Sequence, residues 1–486
     1  MPVYHKIKEK KKMELSQNLI QTIKSAGQEH LLKYWNELSE EKQKSFAEQL
    51  SAVDFSVLPG LIKDYVINRP VTSIPEDLHP AEFFPAVPGN AEQEALYSKA
   101  IARGVELLRA GRVCCLTVAG GQGTRLGFNG PKGTFPIGPV SGRPLFAYFA
   151  QNILRAGEIY GKPVSWYIMT SSLNDADTRA FFRDNNYFGL KEEQVFFFVQ
   201  GTMPAIGYDG KLLMSDKGSL SLSPDGHGGT LLALRKSGAI AKMQKENTDI
   251  ISYFQVDNPL VPVVNPLFIG LHDLEKSQMS AVMLAKTGPF EKLGNFCISG
   301  NRLQIIEYSD LPEDLAQQRN ADGSLAFVAG SPAIHLIARE FVEELTASGT
   351  LKLPWHRADK KIPYIDDQGN PMTPETPNGV KLESFIFDAL PLAANTMVLE
   401  CVREDVFAPT KNPTGVDSVE SCREMLIERD ARRLESAGVA VPRTADGKVN
   451  AKIEISPAAV LDYADAKNYV SGKEIIIAPG AEMVLE

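Results

Sequence analysis

A strand that runs directly into a glycine-rich loop is the strongest constraint on how this chain folds. The apolar run Val113 to Val118 is followed by four glycines, at positions 120, 121, 123 and 127, and by the cations Arg125 and Lys132. Glycine tolerates positive φ and lets the backbone approach a ligand closely, so several N–H groups can converge on phosphate oxygens. A purely structural turn needs only one or two such residues. The loop therefore indicates a phosphate site beyond the end of a strand.

Two common glycine-rich motifs do not fit this loop. A dinucleotide-binding G-x-G-x-x-G loop needs a glycine where Leu126 stands, and a P-loop needs its lysine to follow a glycine, whereas Lys132 follows Pro131. A dinucleotide site also predicts an acidic residue about 20 residues further on, where Pro139 to Ser141 form a Gly/Pro turn instead. An oxidoreductase with a variant loop stays open as an alternative.

Beyond Arg112, strand-like apolar runs alternate with helical patterns. This alternation predicts an α/β fold: a mainly parallel twisted sheet, Rossmann-like, with helices on both faces. Ligands of such sheets bind beyond the carboxyl ends of the strands. The predicted strands are Val113–Val118, Val164–Met169, Val195–Val199, Ile250–Val256 and Ala281–Ala285, and the predicted helices are Leu145–Tyr160, Asp175–Tyr187, Thr230–Lys245 and Pro266–Lys276.

Three segments of the chain differ in pattern. Residues 1–109 predict a helical N-terminal cap with a proline-rich linker from Pro70 to Pro88, and residues 110–404 predict the catalytic α/β domain. Residues 405–486, with strand-like runs such as Lys452–Ile455 and Glu474–Ile477, predict a small β-rich domain. The basic cluster Lys6 to Lys12 is interpreted as solvated, or as preceding a true start at Met13 rather than Met1.

Composition excludes several classes of function. A net charge of -9 over 486 residues argues against non-specific binding to nucleic acids or membranes. No run approaches the ~20 apolar residues of a membrane span. The five cysteines form no C-x-x-C pair, and without a signal peptide they favour a reducing compartment, the cytoplasm. Packing is the expected role of Cys114 and Cys115, which lie within the strand before the loop.

A carboxylate ends a second predicted strand. Asp257 follows the run Ile250–Val256 and precedes an Asn-Pro break. Magnesium prefers one or two carboxylates together with phosphate oxygens, so Asp257 is the candidate ligand for Mg²⁺, with Mn²⁺ as an alternative. A plain turn aspartate is the other interpretation.

The loop residues Ala119 to Gly133, A-G-G-Q-G-T-R-L-G-x-x-G-P-K-G, resemble the nucleotide-binding loop of the eukaryotic-type UDP-sugar pyrophosphorylases. Further motifs match that family in order, and the resemblance extends from about Val113 to Asn412. It implies that the loop contacts the base and phosphates of UTP and that three cations, Arg125, Lys132 and Lys411, hold the phosphates. The implied nucleotide contacts are Ala119, Gly120, Gly121, Gly123, Thr124, Gln200, Gly226 and His227, with Gln200 reading the uracil.

The same resemblance implies a sugar pocket. Its members would be Asn258, Glu307, Ser331, Phe385 and Phe387, beside Asp257 as the metal ligand. Two residues depart from the pattern of the N-acetylglucosamine enzymes: His227 and Ser331 each stand where those enzymes usually carry asparagine. The acceptor therefore stays open between N-acetylglucosamine-1-phosphate and glucose- or galactose-1-phosphate.

The reaction implied is uridylyl transfer. UTP and a hexose-1-phosphate would give a UDP-sugar and pyrophosphate by in-line attack on the α-phosphorus. The attacking phosphate is already an anion, so no general base is needed and catalysis would consist of positioning and charge neutralisation. A catalytically inactive UTP- or UDP-sugar-binding protein, acting as a sensor or scaffold, is the alternative. The oligomeric state is not predicted.

Overall fold

The structure, a computed structural model, describes residues 15–69 and 74–486. The cluster Lys6 to Lys12, both candidate start residues and Pro70 lie outside these ranges. In chain order the strands are β1 (His79–Pro80), β2 (Val113–Val118), β3 (Trp166–Thr170), β4 (Val195–Val199), β5 (Thr202–Pro204), β6 (Ile206–Gly207), β7 (Met214–Asp216), β8 (Ser219–Leu220), β9 (Leu222–Pro224), β10 (Ile250–Gln255), β11 (Met279–Ala285), β12 (Gly294–Ser299), β13 (Arg302–Ile306), β14 (Ala329–Ser331), β15 (His335–Ala338), β16 (His356–Lys360), β17 (Tyr364–Ile365), β18 (Pro371–Met372), β19 (Gly379–Glu383), β20 (Thr396–Glu400), β21 (Lys452–Ile455) and β22 (Glu482–Leu485).

The α-helices alternate with these strands over much of the chain. They are α1 (Gln17–Ser25), α2 (Glu40–Ala52), α3 (Leu58–Leu61), α4 (Ala91–Arg109), α5 (Leu145–Tyr160), α6 (Asp175–Asp184), α7 (Thr230–Lys236), α8 (Ala239–Lys245), α9 (Pro266–Leu274), α10 (Glu313–Gln317), α11 (Arg339–Leu345), α12 (Arg403–Val406), α13 (Val419–Ser436) and α14 (Tyr463–Val470). Within the described residues, no helix is long and apolar enough to cross a membrane.

The chain divides into two compact units. The larger unit comprises Ile74–Gln200, Gly229–Leu353 and Ile386–Glu486, and the smaller comprises the N-terminal residues through 69, Gly201–Gly228 and Pro354–Phe385. The predicted borders at residues 109 and 404 both fall inside the larger unit. Helix α4 belongs there because Leu107 and Leu108 are buried in the core of that unit.

The larger unit is built on an 11-stranded mixed sheet, with strand order β1-β12-β14-β11-β15-β10-β2-β3-β4 and with β13 and β20 paired to β12 and β11. Strands β10, β2, β3 and β4 run parallel, whereas the strands from β1 to β15 in this order pair antiparallel. The prediction of a mainly parallel sheet is therefore wrong, although the α/β fold class is confirmed. Short hairpin returns such as β12–β13 impose antiparallel pairing.

Both faces of this sheet carry helices, as predicted. In β2, Val113 and Cys115 pack into one buried cluster with helices α4, α5 and α9. Cys114 and Leu116 point the other way, into a second cluster with α7, α8 and α11. This strict alternation is what a central strand buried on both faces requires. Burial raises the pKa of both cysteine thiols, which fits the expected packing role.

Most predicted elements around the loop match the structure to within a few residues. Helix α5 and strands β2 and β4 have the predicted bounds. The predicted helix Thr230–Lys245 is instead two helices, because Gly238 takes φ +82° and breaks the run between α7 and α8. The supposed linker Pro70 to Pro88 supplies strand β1, whose His79 and Pro80 pair with β12 at the edge of the sheet.

The C-terminal segment is not β-rich. Helix α13 spans 18 residues and α14 adds another 8, against two four-residue strands, β21 and β22. No strand forms at Glu474–Ile477. The helical period of α13 is hidden in the sequence because Arg429 and Asp430 occupy buried positions as an ion pair, where apolar residues would be expected.

In the smaller unit, helices pack on a three-stranded antiparallel sheet of order β16-β19-β6. Ile23 of α1 and Phe46 and Leu50 of α2 are fully buried against strand residues such as Val380 and Leu382. Residues 15–69 are therefore mainly helical. These helices bury their apolar faces on strands contributed by two later parts of the chain.

A buried carboxylate attaches the C-terminal segment to residues 135–145, here called the exit turn because they follow the glycine-rich loop. The side chain of Glu454 on β21 is fully buried. It accepts hydrogen bonds from the Val140 and Ser141 amides at 3.0 and 2.8 Å, from the Ser141 hydroxyl at 2.6 Å and from the Tyr148 hydroxyl at 3.0 Å. Arg143 adds an ion pair at 3.0 Å.

We expect Glu454→Gln to lower the free energy of unfolding by about 3 kcal/mol, because a buried ion pair and its hydrogen bonds lose one partner. Thermal unfolding followed by circular dichroism measures the change. Glu482→Gln on the neighbouring strand is a matched control, since its ion pair with Lys452 is exposed and should contribute less than ~1 kcal/mol. Equal destabilisation by the two variants would contradict the expectation.

The same contacts give Glu454 a pH dependence. Burial alone would raise the pKa of Glu454, but the hydrogen bonds from Ser141, Val140 and Tyr148 outweigh it and hold the pKa below its ordinary value of 4.5. A carboxyl with a lowered folded-state pKa stabilises the fold above its unfolded pKa, and this contribution is lost as the pH falls through the folded-state pKa. The stability difference between wild type and Glu454→Gln should therefore shrink in acid.

Candidate active site

The glycine-rich loop folds back on itself directly after β2. The Lys132 amide donates to the Gly121 carbonyl at 3.0 Å, and the Gly123 amide donates to the Gly130 carbonyl at 2.9 Å. A short 3₁₀ helix, Thr124–Leu126, ends at Gly127 with φ +68°, and a second one, Lys132–Thr134, begins at the lysine. Thr124 and Arg125 are exposed on the first of these turns.

Two side chains hold the carbonyl groups of the loop. The Asn174 amide donates to the carbonyls of Ala119 and Gly121 at 2.9 and 3.2 Å, and the Ser171 hydroxyl donates to the carbonyl of Gly120 at 2.8 Å. Asn174 stands at the N-cap of α6 but makes no capping hydrogen bond there. Sequence reasoning missed both residues, because Asn before a helix normally signals only a cap.

On the opposite side of the loop, three backbone N–H groups are available to a ligand. With the carbonyls engaged, the N–H groups of Gly120, Gly121 and Gln122 donate to no acceptor in the described parts of the chain, residues 15–69 and 74–486. A side chain at position 121 would meet no protein atom within 4 Å. Adjacent, unengaged backbone amides form the kind of concavity that binds phosphate.

Lys132 and Asp257 meet beyond the ends of adjacent parallel strands. Val118 and Gln255 are register partners in β2 and β10, so the loop and Asp257 emerge side by side. The Lys132 ammonium lies 3.5 Å from the Asp257 carboxylate, and their side chains are only 16% and 13% exposed. The structure thus brings together the predicted phosphate cation and the predicted metal ligand.

The segment that carries Lys411 is fixed beside Asp257. The Thr410 amide donates to the Asp257 carbonyl at 2.8 Å, and the amides of Lys411 and Asn412 donate to the Asp417 carbonyl at 2.7 and 3.0 Å. Burial raises the pKa of Asp417; the charge of Lys411 opposes this rise and the charge of Asp257 adds to it, so both groups lie close enough to act on Asp417. Lys411 itself is exposed.

Gln200 lies against the glycine-rich loop. The backbone N–H of Gln200, directly after β4, donates to the carbonyl of Thr170 at the end of β3, at 2.8 Å. A Cβ added to Gly120 would lie 3.2 Å from the Gln200 side-chain oxygen, so only glycine permits this approach without displacement. The predicted base-reading side chain is therefore next to the predicted nucleotide loop.

The predicted sugar residues Glu307 and Ser331 both lie beside Gly294 in the same unit, Ser331 on β14 and Glu307 directly after β13. Gly294 pairs with Ser331 between β12 and β14, and a Cβ added to Gly294 would lie 3.5 Å from a Glu307 carboxylate oxygen. Asn258, by contrast, is buried and bonds to backbone: it donates to the Val406 carbonyl at 2.7 Å and accepts from the Ala408 amide at 3.0 Å. Its predicted sugar contact stays a prediction.

Two predicted residues of the smaller unit, His227 and Phe385, stack on each other, with ring centroids 5.2 Å apart and planes 16° apart. His356 also stacks on Phe385, at 4.2 Å; sequence reasoning missed this residue. Gly226 takes φ +84° against Ser384, where a Cβ would lie 2.2 Å from its carbonyl oxygen. Burial, with a contribution from His356, lowers the pKa of His227 to about 4, so its imidazole is neutral at physiological pH.

Phe387 does not share a strand with Phe385. Strand β19 ends at Glu383, and Phe387 lies in the 3₁₀ helix Ile386–Leu392. Phe387 packs against a buried cluster of the larger unit, with Ile386 and Leu390. The two phenylalanines that the resemblance assigns to the sugar pocket therefore stand on different local structures.

Asp257 suits a divalent cation that is shared with a substrate. Within the described residues, no group of three His, Cys, Asp or Glu side chains could hold a metal ion alone. Magnesium typically takes only one or two carboxylates and completes its coordination with phosphate oxygens and water. A single carboxylate beside Lys132 and the glycine-rich loop fits that preference.

Comparison with known proteins places the chain in a family. Residues 89–435 match the sequence profile described as UTP–glucose-1-phosphate uridylyltransferase. The chain belongs to this family. It is 32% identical over 493 residues to the human UDP-N-acetylhexosamine pyrophosphorylase-like protein 1, covering 95% of this chain and 96% of that protein. It is also 32% identical to the UDP-N-acetylglucosamine pyrophosphorylase of Saccharomyces cerevisiae, covering 86% and 90% of the two chains.

Solved structures agree with this assignment. The uridine diphosphate N-acetylglucosamine pyrophosphorylase of Trypanosoma brucei, determined in complex with an inhibitor, superposes with a TM-score of 0.79 at 26% identity, over 94% of this chain and 95% of that one. Membership of the uridylyltransferase family confirms the resemblance drawn from the loop motif, and it confirms the enzyme class. The comparisons give no support to the sensor, scaffold or oxidoreductase alternatives.

Proposed function

We propose that this member of the uridylyltransferase family makes a UDP-sugar and pyrophosphate from UTP and a hexose-1-phosphate. The observation that carries the proposal is the meeting of Lys132, Asp257 and the Lys411 segment beyond parallel strands β2 and β10. A triphosphate needs cations and amide donors in one place, and this edge of the sheet offers both. The Rossmann-like arrangement is part of the proposal, supported by the parallel strands β10-β2-β3-β4.

In the proposed reaction, a phosphate oxygen of the sugar-1-phosphate forms a bond to the α-phosphorus of UTP while the bond to the bridging oxygen of pyrophosphate breaks. Lys132, Arg125 and Lys411 neutralise the charge on the phosphates and on the leaving group. Asp257 would hold Mg²⁺, which when bound supplies further neutralisation of phosphate charge. His227, neutral near pH 7, can donate or accept a hydrogen bond but adds no cationic charge.

The relatives and two site residues of this chain point to different acceptor sugars. N-acetylglucosamine-1-phosphate is the first candidate, because the relatives that match most of the chain are named for N-acetylhexosamine substrates. Glucose- or galactose-1-phosphate is the second, because His227 and Ser331 depart from the asparagines usual in those enzymes.

The five cysteines are free thiols, which supports the proposed cytoplasmic location.

A panel of sugar-1-phosphates with UTP and Mg²⁺ tests the proposal. We expect pyrophosphate release and a UDP-sugar product, with kcat/KM for N-acetylglucosamine-1-phosphate above that for glucose- and galactose-1-phosphate. Replacing His227 and Ser331 by Asn should raise that preference further, since a carboxamide supplies both a donor and an acceptor to an N-acetyl group. Absence of UDP-sugar with every acceptor would contradict the proposed reaction.

A further inference from the structure

The exit turn, residues 135–145, continues directly from the segment that carries Lys132. The 3₁₀ helix Lys132–Thr134 leads directly into this turn, and the Phe135 amide donates to the Lys132 carbonyl at 3.0 Å. The turn closes on itself through the Leu145 amide, which donates to the Phe135 carbonyl at 3.1 Å. A displacement of the turn would therefore be passed to the backbone of Lys132 within three residues.

One arginine of helix α13 holds the start of this turn. Arg423 donates from Nε to the Ile137 carbonyl at 3.2 Å and from Nη2 to the Pro136 carbonyl at 2.9 Å. Its planar guanidinium thus binds two successive carbonyls at once, which fixes direction as well as distance. The helix surface beside it is anchored in the core by Cys422 and Leu426, both buried.

The N-terminus of the same helix holds the Lys411 segment. Ser418 is the N-cap of α13, and the carbonyl of the preceding residue, Asp417, accepts the amides of Lys411 and Asn412. Asp417 takes φ +57°, which turns the chain back toward Lys411. Arg423 is the fifth residue of the helix and Asp417 directly precedes its N-cap, so the two attachments lie at the same end of one rigid element.

We propose that Arg423 is a positioning residue for uridylyl transfer: through α13 it fixes the spacing between Lys132 and Lys411. The inference rests on the proposed function, because both lysines are there assigned to the phosphates. Arg423 touches no reacting group in this scheme. It acts by holding the segments that carry Lys132 and Lys411, which are distant in sequence, at a spacing that suits one triphosphate. Misplacement of a catalytic group by about 1 Å can cost up to ~100-fold in rate.

The test is a double-mutant cycle between Arg423 and Lys411. Arg423→Met removes both hydrogen bonds but keeps an aliphatic chain of similar length, and we expect it to lower kcat/KM for UTP about tenfold. In a Lys411→Met background, Arg423→Met should lower kcat/KM for UTP less than ~2-fold, because the lysine whose distance from Lys132 it controls is already absent. Binding of UMP, measured by calorimetry, should stay unchanged, since it reports the base, the ribose and a single phosphate. Arg423→Lys should recover part of the activity.

A matched control separates positioning from general stability. Arg443→Met removes ion pairs to Glu428 and Glu435 on the outer part of the same helix, and it should leave kcat/KM unchanged. Equal losses for Arg423→Met in both backgrounds, full activity of Arg423→Met, or loss of activity in Arg443→Met would each overturn the inference. If Arg423→Met does not fold, Arg423→Lys enters the same cycle. A wild-type protein without any UDP-sugar product would instead refute the proposed function.

Discussion

Replacing Lys132 with methionine should lower kcat by roughly 100-fold, equivalent to about 3 kcal/mol, with UTP and any accepted sugar-1-phosphate. Lys132 is the cation best placed to act on the phosphates, because it begins a 3₁₀ turn of the glycine-rich loop and its ammonium lies 3.5 Å from Asp257. Pyrophosphate carries more charge as it leaves than it did within UTP, so the cation is worth more in the transition state than in the ground state. Steady-state kinetics of pyrophosphate release measure the effect.

Lys42→Met provides the matched control for Lys132→Met. Lys42 also forms an ion pair, with Asp216 at 3.0 Å, but both partners are about half exposed and lie away from the loop in sequence. Its loss should leave kcat within ~2-fold of wild type. Near-normal turnover of Lys132→Met, in a protein with wild-type thermal stability, would remove Lys132 from the catalytic group.

Replacing Asp257 with asparagine should abolish the response of the enzyme to Mg²⁺ and lower kcat by at least ~100-fold. The carboxylate is the nearest anionic group to Lys132, and within the described residues no cluster of three metal-ligating side chains offers a second site. Asparagine keeps the shape but removes the charge that a hard divalent cation requires. Magnesium titrations of kcat, together with electron paramagnetic resonance of Mn²⁺ in the presence of UTP, measure the loss.

Asp273→Asn is the control for Asp257→Asn, because Asp273 is likewise a paired carboxylate, bonded to Arg103 at 2.7 Å. It should alter neither the magnesium response nor Mn²⁺ binding. Unchanged Mn²⁺ affinity in Asp257→Asn would show that the metal, if used, is held elsewhere. Lys132→Met and Asp257→Asn are also expected to interact: with Asp257 already changed, loss of Lys132 should lower kcat less than it does alone.

The sequence predicted the parallel half of the large sheet well, for a physical reason. Strands β2 and β10 are buried on both faces, so their sequences are mostly apolar. Glycines follow β2 and an aspartate follows β10, which marks the strand ends in the sequence. Because neighbouring parallel strands end at the same edge of a sheet, the strand pattern also predicted that Lys132 and Asp257 lie close together. Long helices such as α5 were equally visible.

The remaining strands and contacts were hidden for different reasons. Strands β14 and β15 are three and four residues long, too short for a period to be recognised. Helix α13 buries the Arg429–Asp430 pair where an apolar stripe would have revealed it. The side chain of Asn174 donates to the Ala119 carbonyl and that of Arg423 to the Ile137 carbonyl, each at least 50 residues away in the chain. No local pattern encodes such a partner.

The division of the large sheet into a parallel and an antiparallel half has a consequence for how such an enzyme can diverge. The glycine-rich loop, assigned to UTP, follows parallel strand β2, whereas two residues assigned to the sugar lie beside Gly294: Ser331 on antiparallel strand β14 and Glu307 directly after β13. We therefore expect substitutions at Glu307 and Ser331 to change the choice of acceptor more than the chemistry of transfer. Selection on sugar preference can then act at these two positions, so that a lineage changes its product while its reaction stays constant.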